Sequence, residues 1–230
     1  MFEIEMKVPL RAAGESQKSL EETEENLGET EKRLLEMEER LLEIGFTRIR
    51  QVREEDCYFD RADGQIRDRG EALRVRKVTV IGPGRPASGQ PIPGQSASGQ
   101  SKQNRPEPES VITFKGKRLD TVSKSRRGLE TAVGDAGTAM EIFEAIGFCP
   151  VSPMVVKTRT EYEKGRMNAC LDHIDGLGDF LELEIVVERE EEKDAATGEI
   201  TDVLARIGYS VSDSIRTSYL GLLQAAAVNV

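Results

Sequence analysis

Hydrophobic and polar residues alternate one by one along much of this chain. The opening "MFEIEMKV" sets Glu3, Glu5 and Lys7 against Phe2, Ile4, Met6 and Val8. A period of two marks a β-strand with two unlike faces. The same alternation recurs in "EALRVRKVTV" (71–80), "SVITFKGK" (110–117), "MNACLDHI" (167–174) and "DFLELEIVV" (179–187). The runs "REEDCYFD" and "MVVKTRTEYE" also read as strands. Together they predict a mostly antiparallel set, large enough to close on itself.

Helical spacing fills the intervals. "LLEIGF" ends at Phe46, "FEAIGF" at Phe148 and "LARIGY" at Tyr209, each with a Gly suited to a helix C-terminus. Strand-like runs follow the first two, which predicts two related halves meeting near Thr131. After the third, "DSIRTSYLGLL" closes the fold as a strand or a helix. Leu20, Leu27, Leu34 and Leu41 stand seven apart, with Thr23, Thr30, Met37 and Ile44 at the alternate steps. Such a stripe suits an amphipathic helix lying on the barrel or a coiled coil between two chains. The two Thr and Gly28 weaken a seam and favour the first.

The segment from Gly82 to Glu109 is rich in Gly, Pro, Ser and Gln and repeats "SGQ". It cannot bury enough apolar surface to fold. It is expected to be a disordered low-complexity insertion (82–109) between two hairpin strands. Lengthening a loop costs little, so the flanking strands still pair, within one domain spanning 1–230.

Composition adds limits. A hydrophobic content of 37% supports a core, while 32% charged residues and a net charge of −10 make a poor generic binder of nucleic acid or anionic membrane. No apolar run reaches transmembrane length, and "MFEIEMKVPL" lacks the features of a signal peptide. Cys57, Cys149 and Cys170 have no CxxC spacing and read as reduced thiols of a cytoplasmic protein.

The charged faces carry the chemistry. Arg74 and Arg76 share one face of their strand, Lys157 and Arg159 one face of theirs, and Glu182 and Glu184 another. Lys115 stands out of phase with Ile112 and Phe114, Asp172 is in phase with Cys170 and Asn168, and "SRRGLE" adds Arg126, Arg127 and Glu130. A charged strand face ordinarily meets water, but these carry few Thr, Ser or Gln, and helices are available to cover the apolar side. The charged faces then line the interior. Burying so many ions dry costs several kcal/mol each unless they are paired, so the interior must be wet and hold something charged. Lys and Arg suit phosphate oxygens; carboxylates without His or Cys suit Mg²⁺ or Mn²⁺. A polyphosphate needs both. The one histidine, His173, falls out of phase with Asp172 and points away from that face, so covalent triads have little support.

"EIEMK" resembles the N-terminal ExExK signature of the CYTH superfamily, the triphosphate tunnel metalloenzymes. The order of ExExK, "ALRVRK", "ITFKG", "VVKTR", "CLDHIDGLGDFLELE" and "RTSYLGLL" extends the resemblance over nearly the whole chain. It is most similar to class IV adenylyl cyclases, where "YFD" and "SYL.LL" recur. The resemblance implies an α+β fold: a closed antiparallel β-barrel of about eight strands, open at both ends, with helices outside and two pseudo-symmetric halves. It implies Glu3, Glu5, Glu182 and Glu184 as ligands of Mg²⁺ or Mn²⁺, with Glu130 and Asp172 close by. Lys7, Arg74, Arg76, Lys115, Arg126, Lys157 and Arg159 would hold the phosphates, and Lys7, Arg76 and Asp172 stand as the catalytic candidates. Where the family often has RxExE, this chain has Arg126, Gly128 and Glu130, so one carboxylate is absent. The activity implied is conversion of ATP to cyclic AMP and pyrophosphate; the alternatives are hydrolysis of inorganic or thiamine triphosphate, or triphosphate binding without turnover. A homodimer is also implied.

Overall fold

The structure, a computed structural model, describes residues 2–10, 25–82, 110–118 and 126–228. Its strands are β1 (Phe2–Pro9), β2 (Thr47–Arg61), β3 (Ala72–Val80), β4 (Ser110–Arg118), β5 (Arg126–Val133), β6 (Phe148–Lys164), β7 (Met167–Ile174) and β8 (Gly178–Val187). The helices are α1 (Glu25–Glu43), α2 (Gln65–Asp68), α3 (Ala136–Ala145), α4 (Lys193–Arg206) and α5 (Tyr219–Val228). Apart from Gly82, the 82–109 insertion lies outside the described residues, as does the stripe before Glu25.

All eight strands form one antiparallel sheet in the order β1-β8-β7-β6-β2-β3-β4-β5. Exchanging β1 with β5, β2 with β6, β3 with β7 and β4 with β8 reverses that order and leaves it otherwise unchanged. The duplication is therefore built into the pairing. It also corrects the junction expected near Thr131: β5 is the counterpart of β1, so the second half begins before Arg126. The segment "RRGLETAV" gives weak strand alternation because Gly128 and paired arginines interrupt it.

Directly opposed residues of an antiparallel ladder share a face. On one face, Ile4, Met6 and Val8 align with Ile185, Leu183 and Leu181, which in turn align with Met167, Ala169 and Leu171. Helices α1 and α4 cover this surface with Met37, Leu41, Ile200 and Leu204. Burying each such side chain is worth about 1.5–3 kcal/mol, which is why the apolar face turns outward under helices. A second cluster sets α3 over β2 and β3, with Ala136 and Ala139 against Phe59 and Val75. Leu34, Met37 and Leu41 of α1, with Ile44 just after it, pack on the chain's own sheet, as expected of an amphipathic helix. The side chains of Leu27 and Thr30 are outside the described residues.

The sheet curls until its edge strands β1 and β5 approach each other. Among the described residues no ladder joins them. A salt bridge crosses the seam instead, from Lys115 Nζ on β4 to Glu3 on β1 at 3.0 Å.

Candidate functional site

The face opposite the helices carries charge on nearly every strand. In register, Glu3, Glu5 and Lys7 oppose Val186, Glu184 and Glu182, and Cys170 and Asp172 oppose Glu182 and Phe180. Arg159 opposes Asp172, Lys157 opposes Glu54, Arg76 opposes Asp56, and Arg74 opposes Thr113, which opposes Glu130. Every side chain assigned to the site from the sequence therefore occupies this one face, apart from Arg126. That residue begins β5 opposite Arg118, and its side chain is outside the described residues.

Two carboxylates on β2 organise the centre. Asp56 accepts Arg76 Nε at 2.6 Å and Nη2 at 2.7 Å, and Arg74 Nη1 at 3.1 Å. Glu54 accepts Arg76 Nη1 at 2.7 Å and pairs with Lys157 Nζ at 3.0 Å. Burial by itself would raise both carboxyls, but the surrounding cations outweigh it: Lys157 and Arg76 hold Glu54 at about 2, and Arg74 and Arg76 hold Asp56 far below the usual range. Across β6, Arg159 grips Asp172 through Nε at 2.6 Å and through Nη2, which also reaches Glu182. Asp172 is fully buried and takes Lys157 Nζ at 3.4 Å as well. Arg74 Nη2 donates to Thr113 Oγ1 at 3.3 Å, and Thr113 donates to the exposed Glu130 at 3.2 Å.

Elsewhere on the face carboxylates crowd together. Burial, then Glu3 and Glu5, push the Glu184 carboxyl up to about 7, against the pull of Lys115 and Arg159. Burial would lower Lys115, but Glu3 and Glu5 outweigh it and raise it. No three of the described His, Cys, Asp and Glu side chains form a ready-made metal cluster. The donor set nevertheless fits a hard divalent cation: it is all oxygen, and Glu3 and Glu5 stand beside the buried Glu184, so a cation there would meet three carboxyl groups. Gly128, opposite Lys115, has open space where a Cβ would stand.

One end of the interior is filled. The interior-facing Val155, Ile174 and Phe180 are buried against Tyr219, with Ile215, Leu220 and Leu223 packed alongside. The crossing segment is tied to β1 by Ile215 N–H donating to the Lys7 carbonyl at 2.8 Å, and to β6 by Gln224 donating to the Ser152 carbonyl at 2.9 Å. A barrel open at both ends is therefore corrected: the apolar side chains at this end exclude water best when α5 covers them. Lys7 is buried there, donating to the Thr217 carbonyl at 2.7 Å.

Sequence reading missed Glu54, Asp56, Thr113 and Tyr219. Glu54 and Asp56 stand two apart in a segment read as a strand, but Arg53 and Glu55 charge the other face too, so no apolar row marks which face they share. His173 faces away from the site, as expected, with Nδ1 2.7 Å from Asp179. Burial pushes the Cys170 thiol far up, so it stays protonated beside Arg159. Among the described residues no helix is long and apolar enough to cross a membrane.

Comparison with known proteins bears on this geometry. Residues 26–219 match the model of the CYTH domain. The chain is 31% identical over 179 residues to a Methanocaldococcus jannaschii protein provisionally named an adenylate cyclase, covering 78% of this chain and 86% of that one. A solved structure from Pyrococcus horikoshii OT3 superposes with a TM-score of 0.70 at 25% identity, covering 97% of this chain and 99% of that one. A Hippeastrum protein, provisionally an adenylyl cyclase and described as having a dominant triphosphatase activity, shares the fold at a TM-score of 0.55 and 14% identity, over 98% of this chain and 95% of that one.

Proposed function

The chain belongs to the CYTH domain family, and from that premise we propose that it is a metal-dependent enzyme that converts ATP to cyclic AMP and pyrophosphate. The observation that carries the reading is the interior face itself, on which guanidinium and ammonium groups alternate with carboxylates from strand to strand. Such a surface neutralises a triphosphate only together with metal cations, because its own carboxylates already occupy most of the arginine forks. The match to the Methanocaldococcus jannaschii protein supports the cyclase assignment within the family.

In this reading phosphate oxygens replace carboxylate oxygens at Arg74, Arg76, Lys157 and Arg159. Arg74 Nε is already buried without a hydrogen-bond partner, so a phosphate oxygen would satisfy it. Lys115 and Arg126 would hold the outer phosphate groups, and Asp172 would keep Arg159 and Lys157 in place. Mg²⁺ or Mn²⁺ held by Glu3, Glu5, Glu182 and Glu184, with Glu130 nearby, would stabilise the attacking and leaving oxygens.

A second reading is hydrolysis of inorganic or thiamine triphosphate, with water attacking instead. The same face serves both reactions, which differ in which phosphorus sits by the nucleophile; the absent carboxylate at Gly128 instead motivates triphosphate binding without turnover. Incubating pure protein with ATP, tripolyphosphate or thiamine triphosphate and Mg²⁺ or Mn²⁺, then identifying products, separates the two. Cyclic AMP with pyrophosphate supports the cyclase; orthophosphate without cyclic nucleotide replaces it with the hydrolase. We also propose a homodimer, which the mass from light scattering at micromolar concentration tests directly.

A further inference from the structure

Tyr219 begins α5, where the C-terminal segment crosses the filled end of the interior, and it is buried. Its hydroxyl donates to Asp172 Oδ2 at 2.9 Å. Burial and the Asp172 carboxylate push the phenol well above its ordinary range, so it remains a donor. The ring meets two cations: Lys7 Nζ lies 3.9 Å and Lys157 Nζ 5.5 Å from its centroid. Lys7 also donates to the carbonyl of Thr217, two residues earlier in the chain. Arg159 and Lys157 both reach the same Asp172 that Tyr219 engages. One aromatic side chain thus touches, directly or through Asp172, three cations of the interior row.

We propose that Tyr219 is a positioning residue, its ring seating Lys7 and Lys157 and its hydroxyl sharing the charge of Asp172 so that Arg159 and Lys157 stay available to phosphate oxygens. The inference rests on the triphosphate reading above. Its physical basis has two parts. A lysine on a flexible stem binds phosphate better when its position is fixed in advance, and an aromatic face does that in a desolvated place without neutralising the charge as a carboxylate would. A carboxylate that already accepts a hydroxyl holds its remaining cations less tightly, which lets a phosphate oxygen compete for them.

The two contacts separate by substitution in the full chain. Tyr219→Phe keeps the ring and removes the hydroxyl; Tyr219→Leu removes both. Calorimetric titration with tripolyphosphate in MgCl₂ should show binding weakened about three- to tenfold by Tyr219→Phe. Tyr219→Leu should weaken it at least about twentyfold, the ring contacts being lost as well. Steady-state kinetics with the substrate that wild type turns over should show a raised KM in both, with kcat falling further in Tyr219→Leu and recovering in the Phe variant. A thermal midpoint that drops while both variants bind tripolyphosphate within twofold of wild type would make Tyr219 a packing residue and overturn the proposal. If Tyr219→Leu does not fold, Tyr219→Phe decides by the same twofold criterion, since it conserves the ring's volume. Wild type that binds no tripolyphosphate at all removes the triphosphate reading and this inference together; wild type that binds it, with variants equal to it, removes this inference alone.

Discussion

At the scale of single residues, the interior is a set of titratable groups whose environments pull in opposite directions. Asp56 holds two arginines with its carboxylate almost fully enclosed. Removing its charge leaves Arg74 and Arg76 uncompensated, so Asp56→Asn should cost about 3–5 kcal/mol of stability, measured by urea denaturation at pH 7. Glu184 behaves in the reverse sense. Its carboxyl lies near 7 in the folded protein against an ordinary 4.5, so its favourable contribution is complete below about pH 4.5 and is lost as pH rises through 7. Glu184→Gln should therefore stabilise the metal-free protein by about 1–3 kcal/mol at pH 8 and hardly at all at pH 4.5, read from thermal midpoints at the two pH values. Because a bound cation also relieves that strain, Mn²⁺ should raise the midpoint of wild type at pH 8 more than that of the variant.

At the scale of elements, α1 shows how a helix with leucines on several sides chooses one face. Leu41 is fully buried against the sheet, whereas Leu35 is 53% exposed. Leu41→Ala leaves a cavity beneath the helix and should cost about 2–5 kcal/mol. Leu35→Ala should change stability by less than about 0.5 kcal/mol in a monomeric protein, by the same denaturation measurement. A larger loss for Leu35→Ala that grows with protein concentration would show that α1 also pairs two chains. The strands obey the same logic from the other side. Their apolar rows face helices, which leaves the charged rows to meet one another across the curled sheet.

At the scale of the whole molecule, carboxylates outnumber cations on the described part of the interior face. A triphosphate alone meets an acidic enclosure in a chain of net charge −10, and a metal alone meets a set already partly satisfied by Lys and Arg. Each should therefore promote the other's binding. Tripolyphosphate with Mg²⁺ should stabilise the protein by about 2.7 kcal/mol when free ligand is 100 times its dissociation constant, and tripolyphosphate with EDTA should give far less, both read as shifts in thermal midpoint. Turnover should vanish in EDTA and return on adding Mg²⁺ or Mn²⁺.

The sequence by itself determined seven of the strands and, on most of them, the two faces and the residue types on each. Alternation is a local property, and β7 occupies the very range read from "MNACLDHI" because nothing in that segment breaks the period of two. The family likeness of Glu3, Glu5, Lys7, Glu182 and Glu184 was legible for the same reason: each lies in an uninterrupted run. Glu54 and Asp56 were hidden because Arg53 and Glu55 charge the opposite face as well, and β5 because Gly128 and the paired arginines remove the period that assigns a face. Only the tertiary structure decided which cation each carboxylate holds: ladder register sets Glu54 opposite Lys157, and the curl of the sheet brings Lys115 to Glu3 across the seam, each pair more than a hundred positions apart. It also decided that one end of the interior is filled. An apolar C-terminal helix fits a sheet's outer surface or its mouth equally well by pattern, and the choice falls to the place where Val155, Ile174 and Phe180 would otherwise face water.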